Sequence, residues 1–314
     1  MDNQEPVSAS SIQNVNTDPA AVAAEIKTTG SKQLQRVTVD QLLLAGAHFG
    51  HLTQRWNPKM KKYIFSSRNG IYLIDLFKTQ KLVDTACDKI TKIAASGEDV
   101  MFVGTKKQAR DIIENEAKRA GASYVTYRWL GGMLTNFTTI RKSLKTMENY
   151  ERMATDGTYE KLRKKEILTI EKAKDKLNRV LGGIRDMRRL PGAIFIVDTN
   201  HESISVAEAR KLEIPIFAIV DTNVDPDLVD YPIPANDDAF KSIGLIARAF
   251  ADAVIEGKKR YQDVHAPVEE IKSVQTAQES EKPRKPRRRR SRHRKPSGEG
   301  TGSDRTNSEN KESQ

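Results

Sequence analysis

Two kinds of apolar pattern alternate through the middle of the chain. Val100-Met101-Phe102-Val103, Ala193 to Val197 and Pro215 to Val220 are continuous apolar runs of strand length, and Tyr124 to Tyr127 reads as a shorter strand. Between them the apolar residues recur at helical spacing, over 75–96, over 106–120 up to Gly121, over 203–212, and over 238–256 up to Gly257. A strand that is apolar along its whole length is buried on both faces. Such strands separated by helices predict an α/β domain with a parallel sheet flanked by helices on either side.

The chain on either side of this pattern reads differently. Val39 to Ala45 predicts a short helix stopped by Gly46, and His51 to Lys62 a polar, basic loop. Tyr63-Ile64-Phe65 and Ile71 to Ile74 flank Asn69-Gly70, a strong hairpin-turn pair. Inside the α/β pattern, Met133, Phe137, Ile140, Leu144 and Met147 step by four and three, and the seam resumes at Ile170, Ala173, Leu177, Val180, Ile184 and Met187. With a turn at Asp156-Gly157-Thr158, this narrow seam predicts an inserted antiparallel coiled-coil hairpin that projects from the domain. The resulting division is a disordered leader (1–36), an α/β domain in two halves (37–132 and 183–257), the hairpin (133–182), and a disordered basic tail (258–314).

Charge changes this picture in one respect. The 314-residue chain carries a formal +11, which suggests a polyanionic partner. Yet Lys282 to Pro296 holds ten Lys/Arg and no acid, so the rest of the chain is close to neutral. The tail is expected to bind RNA without sequence preference, whereas the body must bind through local patches. Across 133–181, twelve Lys/Arg stand against seven Asp/Glu. The single cysteine, Cys87, excludes an internal disulfide and reads as a buried helix thiol in a reducing compartment. The longest apolar run is too short to cross a bilayer, and the polar N-terminus is unlike a signal peptide, so a cytoplasmic, membrane-free protein is expected.

The chemistry of an enzyme is hard to assemble from these residues. There is neither a G-x-G-x-x-G nor a P-loop fingerprint. Val103-Gly104-Thr105-Lys106-Lys107 could hold one phosphate at a strand-to-helix turn, and RNA phosphate asks less of it than a nucleotide cofactor does. Asp198 and Asp221 each end an apolar strand, and with His51 or His48 they could bind a divalent metal, although aspartates in such places also cap turns. The basic clusters are more informative. Arg55, Trp56, Lys59, Lys61 and Lys62 surround a proline-stiffened loop, and Arg68 follows on the hairpin. Arg128, Trp129, Thr135, Asn136, Arg141 and Lys142 gather at the start of the inserted hairpin. Cations neutralise phosphates and aromatics stack on bases, while core packing is the competing role for each tryptophan.

The strings AGAHFGHLTQRWNPKMKKYIF (45–65), FVGTKKQA (102–109), YRWLGGMLTNFTTIRKS (127–143), LGGIRDM (181–187), LPGAIFIVDTNHE (190–202) and IPIFAIVDTNVDPDLVDYPIPANDDA (214–239) make the chain resemble the bacterial small-subunit ribosomal protein S-two family, over about Val37 to Gly257. The resemblance implies a Rossmann- or flavodoxin-like fold with a coiled-coil protrusion, a structural role in the small subunit near the junction of head and body, and no catalysis. It implies contact with small-subunit rRNA through Arg55 to Lys62, Lys106, Lys107 and Arg128 to Lys142, and with neighbouring ribosomal proteins, including S-one, which captures messenger RNA. No cofactor is required. In some members a metal is linked to the crevice that matches His51, Asp198 and Asp221. No homo-oligomer is expected. The rival readings are a doubly wound enzyme using that crevice, and an RNA-binding regulator that acts away from the ribosome.

Overall fold

The computed structural model describes residues 36–265, so the leader and nearly all of the basic tail lie outside the described residues. Five parallel strands form the main sheet: β4 (Val100–Val103), β5 (Ser123–Val125), β6 (Ala193–Val197), β7 (Ile216–Val220) and β8 (Tyr231–Pro234). Their spatial order is β5-β4-β6-β7-β8. This is the doubly wound order of flavodoxin-like sheets, whose direction of winding reverses between β4 and β6. β8 is not evident from the sequence, because Pro232 and Pro234 break the strand signal. Both prolines are tolerated because β8 pairs only with β7 and forms an edge.

Alternate residues of each strand feed two separate cores. Phe102, Phe195, Val197, Phe217 and Ile219 face one side, packed against α2 (Leu76–Ala95), α3 (Arg110–Ala120) and α7 (Phe240–His265). Met101, Val103, Ile194, Ile196, Ala218 and Val220 face the other side. That side is covered by α6 (Ser203–Lys211) and by the root of the inserted hairpin. The insert thus takes the place of a covering helix.

The insert consists of α4 (Phe137–Thr155) and α5 (Lys164–Leu181), which touch one another. Ile140, Leu144, Met147 and Leu181 are buried in the second core, but Ile170, Ala173, Leu177 and Val180 are only half-buried. The apolar residues near the root of these two helices are therefore the ones buried against the sheet. The turn is longer than Asp156 to Thr158, since Gly157 is left-handed and a 3₁₀ turn over Thr158–Lys161 precedes α5. At the return, a Cβ on Gly183 would lie 2.2 Å from the Tyr124 carbonyl oxygen, so only glycine lets the root lie against the edge strand.

A second, antiparallel sheet in the order β1-β3-β2 contains β1 (Phe49–Leu52), β2 (Ile64–Arg68) and β3 (Ile71–Ile74). Asn69 and Gly70 both have positive φ, 53° and 76°, as the tight hairpin between β2 and β3 requires. Along the sequence, β1 reads as the start of a polar loop. It forms by antiparallel pairing with β3, and the His51 N–H donates to the Thr222 hydroxyl at 2.9 Å, which ties it to the loop after β7. α1 (Val39–Leu44) leads into it, with Thr38 and Gln41 completing a capping box.

Gly257 does not end α7, which runs on to His265. A Cβ at Gly257 would lie 2.5 Å from both the Ala94 side chain and the Thr91 carbonyl, so this glycine marks the close crossing of α7 over α2. The expected helix 106–120 begins only at Arg110, and the expected strand 124–127 is Ser123–Val125. Cys87 is fully buried, and burial pushes its thiol up to about 12, as an inert core thiol requires.

Candidate nucleic-acid interface

In a doubly wound sheet the ligand crevice opens at the carboxyl ends of the strands, where the winding reverses. Gly104, Thr105 and Lys106 lie on one side of it and Asp198 on the other. The Lys106 ammonium sits 3.2 Å from Asp198, 2.8 Å from Asp237 and 2.7 Å from Asp238. Burial opposes its charge, but the bonds to Asp237 and Asp238 outweigh burial and raise its pKa. The Thr105 amide, which was expected to face a phosphate, instead donates to the buried Glu202 carboxylate at 2.8 Å. Its hydroxyl donates to the same oxygen. The protein's own carboxylate thus occupies the anion position, and its own lysine the cation position.

His51 Nδ1 lies 3.0 Å from Asp221, and its Nε2 lies 3.6 Å from Asp238. The bond to Asp221 outweighs burial and raises the imidazole pKa. Asp198 does cap its turn: it accepts from the Asn200 and His201 amides at 3.0 and 3.1 Å, at a left-handed backbone (φ 65°) that aspartate tolerates. His48 packs on the Phe49 ring and takes no part in the cluster. Asp237 is fully buried, and burial, with Asp198 and Asp221 nearby, pushes it up to about 7 against the pull of Lys106. Four carboxylates thus surround one lysine and one histidine, and a fifth, Glu202, is held by Thr105. Such a crevice repels phosphate.

Of the expected metal set, His51 and Asp221 lie together at 3.0 Å, while Asp198 is turned to Lys106 and to the amides of its own turn. The ligand atoms that lie within 4.8 Å of one another belong to His51, Asp237 and Asp238. Asp237 Oδ2 is buried and has no hydrogen-bond partner, so a divalent cation fits the donor set there.

The basic residues outside the crevice fall into two groups. Lys59 lies 2.7 Å from Asp225 and 3.1 Å from Asp227, and Lys62 lies 3.6 Å from Asp227. These two lysines are neutralised within the chain. Arg55, Lys61, Arg68, Lys107, Arg128, Arg141 and Lys142 are exposed and have no acidic partner among the described residues. Trp56 is half-buried against the Tyr72 ring. Lys106 is held within the crevice by Asp198, Asp237 and Asp238.

Trp129 takes the core role instead of the stacking role. It is only 7% exposed, and its indole donates to Glu208 at 3.1 Å. The same carboxylate accepts from the amides of Gly132, Leu134 and Thr135 at 2.7, 2.9 and 3.0 Å, and from the Thr135 hydroxyl at 3.1 Å. Burial pushes the Glu208 carboxyl up, but the bonds from Thr135, Leu134, Gly132 and Trp129 outweigh it and hold the pKa below the ordinary value. Thr135 is therefore a structural tie, while the Asn136 side chain accepts from Thr139 at 2.9 Å at the start of α4. Glu208 does not stand out in the sequence. A lone glutamate on a short helix carries no signal until its five donors are brought to it.

An α/β sheet whose crevice is filled by its own ion pairs, with free cations on its outer surface, defines a class: a binding protein built on an enzyme-like frame. Residues 42–257 match the family Ribosomal protein S2, more than half of the chain, and the protein belongs to that family. It is a structural protein of the small ribosomal subunit, associated with rRNA and ribosomal proteins, and not an enzyme. No described helix is long and apolar enough to cross a membrane.

Proposed function

We propose that the chain binds small-subunit rRNA near the junction of head and body through its unpaired outer cations, and presents its crevice side to a neighbouring protein, S-one. One observation carries this reading: the cations divide into those paired with the chain's own aspartates (Lys59, Lys62 and Lys106) and those left without an acidic partner among the described residues on the outer surface. Arg55, Lys61 and Arg68 serve one contact region. Arg128, Arg141 and Lys142 serve a second, at the root of the hairpin, which we read as a coiled-coil arm. Lys107 adds an exposed charge beside the crevice, and Trp56 and Asn136 flank the two regions. The arginine-rich segment 282–296 adds non-specific attraction. The chain works in the cytoplasm.

The crevice side suits a protein partner better than RNA. Its net charge is acidic, and the edge strand β1, tied to it through His51, exposes Phe49 and Leu52. Exposed apolar side chains beside unpaired strand edges are a surface for polypeptide. A divalent ion, where bound, would be held by His51, Asp237 and Asp238 and would neutralise part of this face.

The test is salt-dependent binding to small-subunit rRNA. Exchanging Arg55, Lys61, Arg128 or Arg141 for glutamine is expected to weaken binding and to lower the salt slope by about one for each phosphate that is no longer neutralised. The same exchange at Lys59 or Lys62 should change the slope much less, because Asp225 and Asp227 already neutralise them. Equal losses at all six positions would contradict the division.

A further inference from the structure

Tyr127 leaves the end of β5 and is 41% exposed, in a segment where its neighbours Val125 and Trp129 are buried. Two guanidinium groups lie over its ring, those of Arg110 at 5.3 Å and Arg179 at 5.6 Å. They differ in one respect. Arg110 is anchored, donating to the Thr105 carbonyl at 2.9 Å and to the Tyr127 carbonyl at 3.4 Å. Arg179, on α5, has no acidic partner among the described residues. One member of the stack is therefore fixed, and the other is free to slide or to be displaced.

Tyr127 and Arg179 both line a cleft of about 750 Å³ between the α/β domain and α5. Arg128, Lys172 and Lys176 complete its cationic wall, Asp175 is its one acid, and Leu130 and Ile204 give it apolar surface. Four cations against one acid is a strong local excess in a chain that is nearly neutral outside its tail. Positive charge beside flat aromatic and apolar surface matches a group that is anionic at one end and flat at the other. A nucleotide with its base unstacked has that shape, and duplex RNA, whose bases are already stacked, does not. An acidic peptide would use the charge but not the ring.

We propose that this cleft holds an unpaired nucleotide of an RNA strand, its base stacked on the Tyr127–Arg179 pair and its phosphate on Arg128 and Lys176. The inference rests on the rRNA-binding reading and narrows it to single-stranded RNA at this place. Along the sequence Tyr127 reads only as the end of a strand, and the cleft appears once α5 folds back beside it.

The experiment uses the full-length chain and an RNA hairpin carrying photoreactive thiouridine in its unpaired loop or in its stem. The loop probe is expected to attach to a peptide containing Tyr127, and the stem probe is not. Tyr127→Leu should weaken binding of the loop RNA roughly tenfold, and Arg179→Gln should also weaken it, while Tyr127→Phe keeps it. Binding of a fully paired duplex should be unchanged, which also separates the cleft from the tail, since the tail attracts both RNAs alike. Equal loop binding by the wild type, Tyr127→Leu and Arg179→Gln, with attachment elsewhere, would overturn the cleft and leave the wider rRNA reading standing. Attachment at Tyr127 from the stem probe alone would also overturn it. A wild-type chain that binds no small-subunit rRNA would overturn both.

Discussion

Replacing Lys106 by methionine is expected to lower the stability of the protein by about 3–5 kcal/mol, the usual result of removing one partner from a buried ion cluster. The ammonium touches Asp198, Asp237 and Asp238, and Asp237 is wholly buried. Methionine preserves most of the volume, so the loss is electrostatic and not a packing effect. Through Asp238 and His51 the cluster extends to β1, and through Asp221 to the end of β7. Its collapse should therefore loosen the small antiparallel sheet before the main one. Thermal unfolding would show the loss as a fall in Tm of about 6–20 °C. Adding Asp237→Asn to Lys106→Met should recover part of it, because the most buried uncompensated carboxylate is then gone. A Lys106→Met protein that melts with the wild type would show that the crevice is not held by its own lysine.

Exchange of Glu208 for glutamine should have an effect of similar size on a different part of the molecule. The carboxylate satisfies an indole, three backbone amides and a hydroxyl. A glutamine keeps one accepting oxygen and turns a donor toward the remaining donors, leaving at least one buried amide unsatisfied. A loss of about 2–4 kcal/mol follows from the cost of such orphaned groups. Hydrogen exchange should localise the loosening to 129–136 and the first turn of α4. The sign of its pH dependence follows from the lowered pKa. A carboxyl whose pKa is lowered on folding contributes stability above its ordinary value and loses it as pH falls through the folded value. The gap between wild type and Glu208→Gln should therefore be widest near neutrality and close in acid. A gap that stays constant into acid would mean that the charge of Glu208 is not what holds the loop.

The parts of this protein that are legible in its sequence are those encoded by periodicity. The runs at 100–103, 193–197 and 216–220 announce parallel strands because both faces are buried. Asn69-Gly70 announces the hairpin because few pairs adopt two successive left-handed conformations. The stepping seam announces two helices that meet. What the sequence misleads on depends on spatial neighbours. Gly257 looks like a stop, but the nearness of α2 makes it a crossing point. β1 looks polar because its partners, Leu73 and Thr222, are far away in sequence. The candidate site follows the same rule. Arg55, Lys61, Arg68, Arg128, Arg141 and Lys142 are exposed cations, as their local context implies. Lys59, Lys62 and Lys106 look identical along the chain and differ only in the aspartates folded against them. Trp129 and Thr135 read as RNA contacts until Glu208 is seen between them.

The crevice also explains why an enzyme-like frame serves a ribosomal protein. Doubly wound sheets leave a ligand site at the reversal of winding, and here Lys106 and Glu202 occupy it from within. The crevice side is thereby an acidic face, and the cations without an acidic partner among the described residues lie outside it.

If this structural protein of the small ribosomal subunit is held there through its outer cations, as proposed, removing those cations must release it. Sedimentation of a cell lysate through a gradient reads this out, with the chain and a small-subunit marker protein quantified across the fractions. The chain is expected to travel with small subunits in equimolar amount and to be released to the soluble fraction when Arg55, Lys61, Arg128 and Arg141 are exchanged together for glutamine. A wild-type chain found only in the soluble fraction would contradict it.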